Sequence, residues 1–554
     1  MLAEEAKKLI KNQLKLDVTL EVPPDSKLGD FAFACFSIAK EMKKPPVEIA
    51  KELAGKIKLS GIIKNAQATG PYVNIFLDTK TIGKLVVGNV EEEKEHYGSS
   101  HSGKGTHALI EHTSINPNAS PHVGRARNAL IGDSLARLLR FEGYQTEVHY
   151  FVNDVGKQIA MLVLGCKNRK NVTFDDLLDI YVEINSRIEK EPSLEKQVFE
   201  LLNKFESGDS EVRRRFREIV EICVKGQSSL LGEIDIKFDH FDYESDYIVN
   251  KTTDCVLNEL KKTKRVFVDE ENRQVLDLKG FELPLESPVL VLTRGDGTSL
   301  YCLRDLAYNI DKNKWAKGKN FLVLGEDQKL YSQQIETALK LLNQSSPEVV
   351  HYSFVLLSTG KMSTRQGNVV LLRDFLDEAV HRAKVAMKRH FSEEKTEALA
   401  RIVACAAVKF SILKVANEKT VTFDWESALS FEGDTAPYCQ YAHARIHSIF
   451  KKANVHEPLL PDNPVFETHS EHQLILALAS FQESVRKTLD SKNPSVLVHY
   501  VLSVAKAFSE FYHQCPVLEA EEKTRLSRLA LCNAVRIVLE NGLNLLGIEA
   551  PDEM

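Results

Sequence analysis

HALIEHTSINPNASPHVGRARNALIGDSLARLLRFEGYQTEVHYFVND, residues 107–154, is the stretch whose reading decides the architecture. HALIEHTS (107–114) is a strand candidate, and a loop containing Pro117 and Pro121 follows it. RARNALIGDSLARLLRFEG (125–143) sets Leu130, Ile131, Ser134, Leu135, Leu138 and Leu139 on one helical side, with Gly143 as the stop. TEVHYFVND (146–154) is a second strand candidate. Further strands are expected at RVFVD (265–269), SPVLVLT (287–293), NFLVLG (320–325) and YSFVLL (352–357). Strands separated by helices predict a multidomain α/β protein built on a doubly wound, Rossmann-like parallel sheet.

Outward from that unit, residues 1–95 read as a small α+β domain. HYGSSHSGKGT (96–106) reads as a linker into the sheet domain at 106–375. An insertion at about 160–285 is mostly helical at first, and its basic run RRRFR (213–217) reads as a solvated helix face. From about 375 onwards no strand is expected: a helical connector (376–425) leads into an all-helical domain (426–554).

A chain of 554 residues is too long for one hydrophobic core. Its 43% hydrophobic and 27% charged content describes a globular protein, and a net charge of -6 gives no global basic field. Any nucleic acid must be met by local patches of Lys and Arg. Nine cysteines offer no CxxC pair, which predicts a reduced compartment and no zinc site. Nothing approaches the ~18 consecutive apolar residues of a membrane span, and Glu4 and Glu5 argue against a mitochondrial leader. The expected location is the cytoplasm, with no membrane partner.

Two short segments carry chemistry. PHVGRARN (121–128) lies where the first strand passes into its helix. Gly124 allows close approach of a nucleotide, the helix N-terminus favours phosphate, and His122 can donate to phosphate oxygens. GKMSTRQGN (360–368) puts Lys361, Ser363, Thr364 and Arg365 on a loop that can neutralise polyphosphate charge. Either string alone is a capping loop or a basic turn. Both together, in order and at the ends of two sheet strands, are hard to obtain by chance.

HVG and KMS resemble the HxGH and KMSK motifs of class I aminoacyl-tRNA synthetases. IEHTSINPNASPHVGRARN (110–128), SLYCLRDLAYNI (299–310), VLGEDQ (323–328) and FDWESALSFEGDTAPYCQYAHARIHSI (423–449) resemble the arginyl-tRNA synthetase family, as do GDFAFACFSIAK and LNLLGIEAPDEM. The resemblance implies a ligase that activates L-arginine with ATP and Mg²⁺ and transfers it to the 3′ end of arginine tRNA, as a monomer. It implies catalytic roles for His122, Gly124, Arg125, Lys361, Met362, Ser363 and Arg365. It places Glu111, Tyr301 and Asp305 around the arginine side chain, and Asn116, Gln328 and Ser114 near its α-amino and carboxylate end. Tyr438, Gln440, Tyr441 and Arg445 are implied in tRNA binding through a helical anticodon-binding domain, and residues 1–95 in contact with the tRNA elbow.

Two positions depart from the pattern. Arg125 stands where the second histidine of HxGH would be, and Thr364 where the last lysine of KMSK would be. Arg125 is expected to supply the missing charge, with Arg365 as the other candidate. A non-catalytic tRNA-binding paralogue is the alternative reading of the same departures.

Overall fold

The computed structural model describes residues 1–357, 370–387 and 391–554. Its centre is an all-parallel sheet of β1 (His107–Glu111), β2 (Gln145–Val152), β3 (His240–Tyr243), β4 (Lys319–Gly325) and β5 (Glu348–Tyr352), in spatial order β5-β4-β1-β2-β3. The order reverses between β1 and β4. In an open α/β sheet, ligands bind beyond the carboxyl ends of the strands at that switch.

The connection from β1 to β2 is α1 (Val123–Phe141), buried on nearly every side because it lies between the sheet and the C-terminal helices. It approaches the end of β1 so closely that a Cβ on Gly132 would sit 2.2 Å from the His112 ring, so only glycine fits there. Gly143, at φ +88°, turns the chain out of the helix and into β2.

The insertion supplies five helices, of which α2 (Ser210–Gly232) matters most here. Gln227 of α2 is fully buried and donates to the carbonyls of Asn116 and Ala119 at 3.2 and 2.9 Å, while Tyr150 of β2 donates to its Oε1 at 2.8 Å. The insertion therefore supports the loop after β1 from beneath. In RRRFR, Arg214 pairs with Glu211 and Glu218, Arg215 donates to Val163 O, and Arg217 lies 3.6 Å over the Tyr243 ring. Those arginines hold the helix to its surroundings.

Three strand expectations need correction. The segments at 265–269 and 287–293 do form strands (Val266–Val268 and Val289–Val291), but they join Gln274–Asp277 in a separate antiparallel sheet. Periodicity reports extended chain and does not name its partner. The fifth strand of the parallel sheet on the far side is β3, from within the insertion, four half-polar residues too short to show a pattern. YSFVLL divides: Tyr352 ends β5, and Val355–Leu357 pairs in parallel with Val421–Phe423, a strand in a region expected to be wholly helical.

Within the central domain, α3 (Tyr301–Ala316) precedes β4 and α4 (Lys329–Leu341) joins β4 to β5; after it come α5 (Glu393–Leu413) and the helices of the C-terminal domain. These include α6 (Ala436–Ala453), α7 (Ser495–Gln514) and α8 (Glu522–Leu545). The N-terminal unit is a three-stranded antiparallel sheet with helices, and it docks on the C-terminal helices. His472 links them, 2.7 Å from Asp30 and 2.9 Å from Thr79.

Candidate active site

Glu111 closes β1, and its carboxylate is buried. Lys312, fully buried on α3, forms an ion pair with it and lies 4.6 Å over the Tyr308 ring. Ser114 donates to the other Glu111 oxygen at 3.3 Å and accepts from the Phe151 N–H at 3.1 Å. Ser114 and Thr113 hold left-handed backbone angles, φ 39° and 73°, where non-glycine residues are uncommon. Such strain survives only where the surroundings over-determine it. Here Asn128 of α1 does so: it accepts from the Thr113 N–H and donates to Val323 O of β4 at 2.8 Å, fixing the two sides of the switch point to each other.

Asp305 faces the same region from α3. Asn309 donates to it at 2.8 Å, and so does Tyr331 of α4 through its hydroxyl at 2.8 Å. The Tyr331 ring lies 5.0 Å from that of Tyr301, which is 55% exposed and forms the outer wall. Burial raises the Asp305 carboxyl to about 6, and neighbouring Glu111 adds to the rise against the pull of Lys312. Glu244 is raised to about 7 by burial, with Asp154 and Asp305 adding to it, although Arg304 is 2.9 Å away. Burial is the first cause of both shifts; Glu244 pairs with Arg304 and Glu111 with Lys312, which leaves Asp305 without a cation in salt-bridge range among the described residues. Of the arginines close to it in sequence, Arg304 pairs with Glu244 and Arg294 with Glu206 at 3.2 Å.

Asn116 stands on the loop after β1, accepting from Asn153 at 3.1 Å and donating to Gln158 at 3.2 Å. Gln328 ends the short turn Glu326–Gln328 directly after β4 and is exposed. Asp154, by contrast, is buried and committed to the N–H and hydroxyl of Ser245.

His122 is the cap residue of α1, and burial beside Arg125 lowers it to about 4, so near neutrality it is an uncharged imidazole. The permanent positive charge in this turn belongs to Arg125, which is exposed. Lys361, Met362, Ser363, Thr364 and Arg365 lie outside the described residues. The chain on either side of them is well placed. Before them, Val355–Leu357 pairs with Val421–Phe423. After them, Val370 O accepts from the Val123 N–H at 3.2 Å, and the Leu372 N–H donates to Pro121 O at 2.8 Å. The described chain that resumes at Val370 is thus hydrogen-bonded to Pro121 and Val123, on either side of His122.

Comparisons with known proteins find relatives over nearly the whole chain. Residues 87–425 match the model of the class I (R) tRNA synthetase catalytic domain, residues 439–554 the DALR anticodon binding domain, and residues 1–77 the arginyl-tRNA synthetase N-terminal domain. The arginine–tRNA ligase of Methanocaldococcus jannaschii is 37% identical over 558 residues, covering 98% of this chain and 96% of that one. The chain belongs to the arginyl-tRNA synthetase family. The corresponding ligase of Archaeoglobus fulgidus is 37% identical over 94% of each chain. Thermus thermophilus arginyl-tRNA synthetase superposes over 100% of both chains with a TM-score of 0.82 at 27% identity. The enzyme from Plasmodium falciparum, 21% identical, shares the fold at a TM-score of 0.81 over 100% of this chain and 99% of that one.

The family's C-terminal module is built here on α6. Arg445 lies 4.6 Å over the Tyr441 ring and 5.0 Å over that of Tyr512 on α7, at the mouth of a groove of about 560 Å³. Tyr441 is 41% exposed, and Tyr438 is half-buried along the same groove. Gln440 is different. It is fully buried and donates to Glu549 O at 2.8 Å, so its expected place among the RNA-facing residues is withdrawn: its side of the helix faces inwards.

Sequence reading did not single out Lys312, Tyr331, Glu244 or Arg127. Arg127 is fully buried with no acidic partner within salt-bridge range among the described residues, and it donates to five backbone carbonyls, those of Ser353, Phe354, Val415, Ala416 and Lys419. It fastens α1 to the chain on both sides of the Val355–Leu357 pairing. Lys312 had one available signal, since it follows Asp305 by two helical turns on the same face.

Proposed function

We propose that this chain activates L-arginine with ATP and transfers the arginyl group to the 3′ end of arginine tRNA. The observation that carries the reading is the acid-rich ground at the switch point, where Asp305 accepts from Tyr331 beside the Tyr301 ring and Glu111 is buried against Lys312. A planar guanidinium entering there neutralises charge the pocket cannot balance alone, and a carboxylate can accept two parallel N–H bonds from it. Glu111, held by Lys312, sets the field behind Asp305, while Asn116, Ser114 and Gln328 receive the α-amino and carboxylate end.

A carboxylate oxygen of arginine attacks the α-phosphorus of ATP, and the bond to the β,γ-diphosphate breaks. The arginyl-adenylate then yields its acyl group to a hydroxyl of the terminal tRNA ribose, with AMP leaving. No protein nucleophile is required; positioning and charge stabilisation do the work. His122, Gly124 and the N-terminal turn of α1 hold the nucleotide, Arg125 faces its phosphates, and Mg²⁺ arrives with them. Lys361, Met362, Ser363 and Arg365 are assigned to the same phosphates on the strength of the family motif. Residues 1–95 meet the tRNA elbow, 106–375 perform the chemistry, 376–425 connect, and 426–554 take the anticodon through Tyr438, Tyr441 and Arg445. The working form is a monomer in the cytoplasm.

The test is arginine-dependent exchange of label between pyrophosphate and ATP, with and without tRNA. Exchange that requires both arginine and tRNA is the expected result. Tight tRNA binding with no exchange would establish the non-catalytic paralogue instead.

A further inference from the structure

The inner side of α6 carries a second polar cluster that the reaction does not use. His443 and His447 stand one turn apart, ring centroids 4.8 Å from each other. His443 is 1% exposed, and its Nδ1 lies 3.0 Å from Pro551 O. A carbonyl can only accept, so Nδ1 carries the proton and Nε2 presents its lone pair. That Nε2 is buried and has no hydrogen-bond partner among the described residues. His447 Nε2 lies 3.2 Å from Asp552 Oδ1, and one ligand atom from each of the three residues falls within 4.8 Å of the others.

An imidazole lone pair buried without a donor is costly unless it meets a proton or a metal ion. Two histidines at i and i+4 on one helix face, joined by a carboxylate from elsewhere, form a common zinc ligand set. A backbone carbonyl on the far nitrogen of one histidine is the usual device for fixing its tautomer toward a metal. Arg536, whose positive charge acts on both histidines, is paired with Glu540 at 3.0 Å. We propose that His443 Nε2, His447 Nε2 and Asp552 bind a divalent transition-metal ion of the zinc class, clipping the segment 549–554 onto α6. The search for zinc by cysteine spacing could not see this set, because its third ligand comes from a segment about a hundred residues away.

The clipped segment runs on to Met554, which lines the groove with Tyr441 and Arg445. An ion here would therefore fix one wall of that groove. This consequence rests on the function proposed above; the metal site does not.

The experiment is titration of the full-length chain with Zn²⁺ alone and with Co²⁺ alone at about pH 7.5, where imidazoles are neutral, read by calorimetry and by visible absorption of the cobalt form. His447→Gln and Asp552→Asn, both at solvent-accessible positions, should each weaken the site by on the order of 100-fold or more. His240→Ala, in the separate cluster Glu147–His149–His240, should leave that affinity unchanged. Zn²⁺ should also slow amide hydrogen exchange over 549–554 in the wild type and not in the two variants. Affinity indifferent to both His447→Gln and Asp552→Asn, loss confined to His240→Ala, or no saturable binding would each overturn the proposal. None of these outcomes bears on arginine-dependent exchange, so the two readings fail separately.

Discussion

The catalytic cleft and the C-terminal groove both combine charge with aromatic rings, and they hold them in opposite ways. In the cleft, Glu111 and Lys312 form a buried ion pair, and Asp305 and Tyr331 are half-buried and joined by a hydrogen bond. In the groove, Arg445 lies between Tyr441 and Tyr512, with Tyr441 41% exposed. A set with buried charge penalises any ligand that leaves one charge uncompensated, which suits selection of one small cation. An exposed stack gains from any flat ring laid on it and loses modestly when a member is removed, which suits an unpaired base.

The sharpest way to break the contrast is Lys312→Met. It leaves Glu111 buried and unpaired, at an expected cost of ~3–5 kcal/mol of stability, measured by urea unfolding. Adding Glu111→Gln should restore much of that loss. A cost below about 1 kcal/mol, the ordinary figure for a surface pair, would mean that Glu111 and Lys312 are not the buried pair described.

Arg125→Ala comes next. Loss of one phosphate-facing cation should cost ~3–4 kcal/mol in the adenylation step, a few hundred-fold in rate, while tRNA affinity changes little. Near-normal exchange would pass the compensating role to another cation. In the groove, Tyr441→Ala should weaken tRNA binding by ~1–3 kcal/mol and leave arginine KM unchanged, the reverse of the cleft variants.

The smallest effect is that of pH. Asp305 holds its proton up to about 6 against an ordinary 3.8, and arginine needs the ionised form. Arginine KM should therefore rise below pH 6, by up to about tenfold per pH unit, and Asp305→Asn should lose this dependence along with most of its activity. The sign for stability is opposite. The folded protein retains a proton between pH 3.8 and about 6 that the unfolded chain has released, so this group's stabilising contribution is complete below 3.8 and lost as pH rises through 6.

What was legible in the sequence follows the same division. β1, α1 and β2 were readable because each carries a full period of apolar residues, and the Gly143 stop was sound. β3 and Val421–Phe423, four and three residues long, were not, because a pattern needs more length than they have. Asp305 and Tyr301 were reached through the family motif, but their settings were not. Lys312 finds its partner 201 residues away, and no local spacing records such a pairing. Gln440 was grouped with its tyrosine neighbours by proximity in sequence. Helical period would have separated them, since Tyr441 and Arg445 share one face while Gln440, His443 and His447 share the other.

The central claim is that the cleft reads a planar cation by uncompensated acid. Competition of citrulline, the neutral ureido counterpart, with arginine in the tRNA-dependent exchange reaction tests it most directly. Citrulline should bind at least on the order of 100-fold more weakly, because it leaves Asp305 without a counter-charge. Comparable affinities for the two would contradict the account.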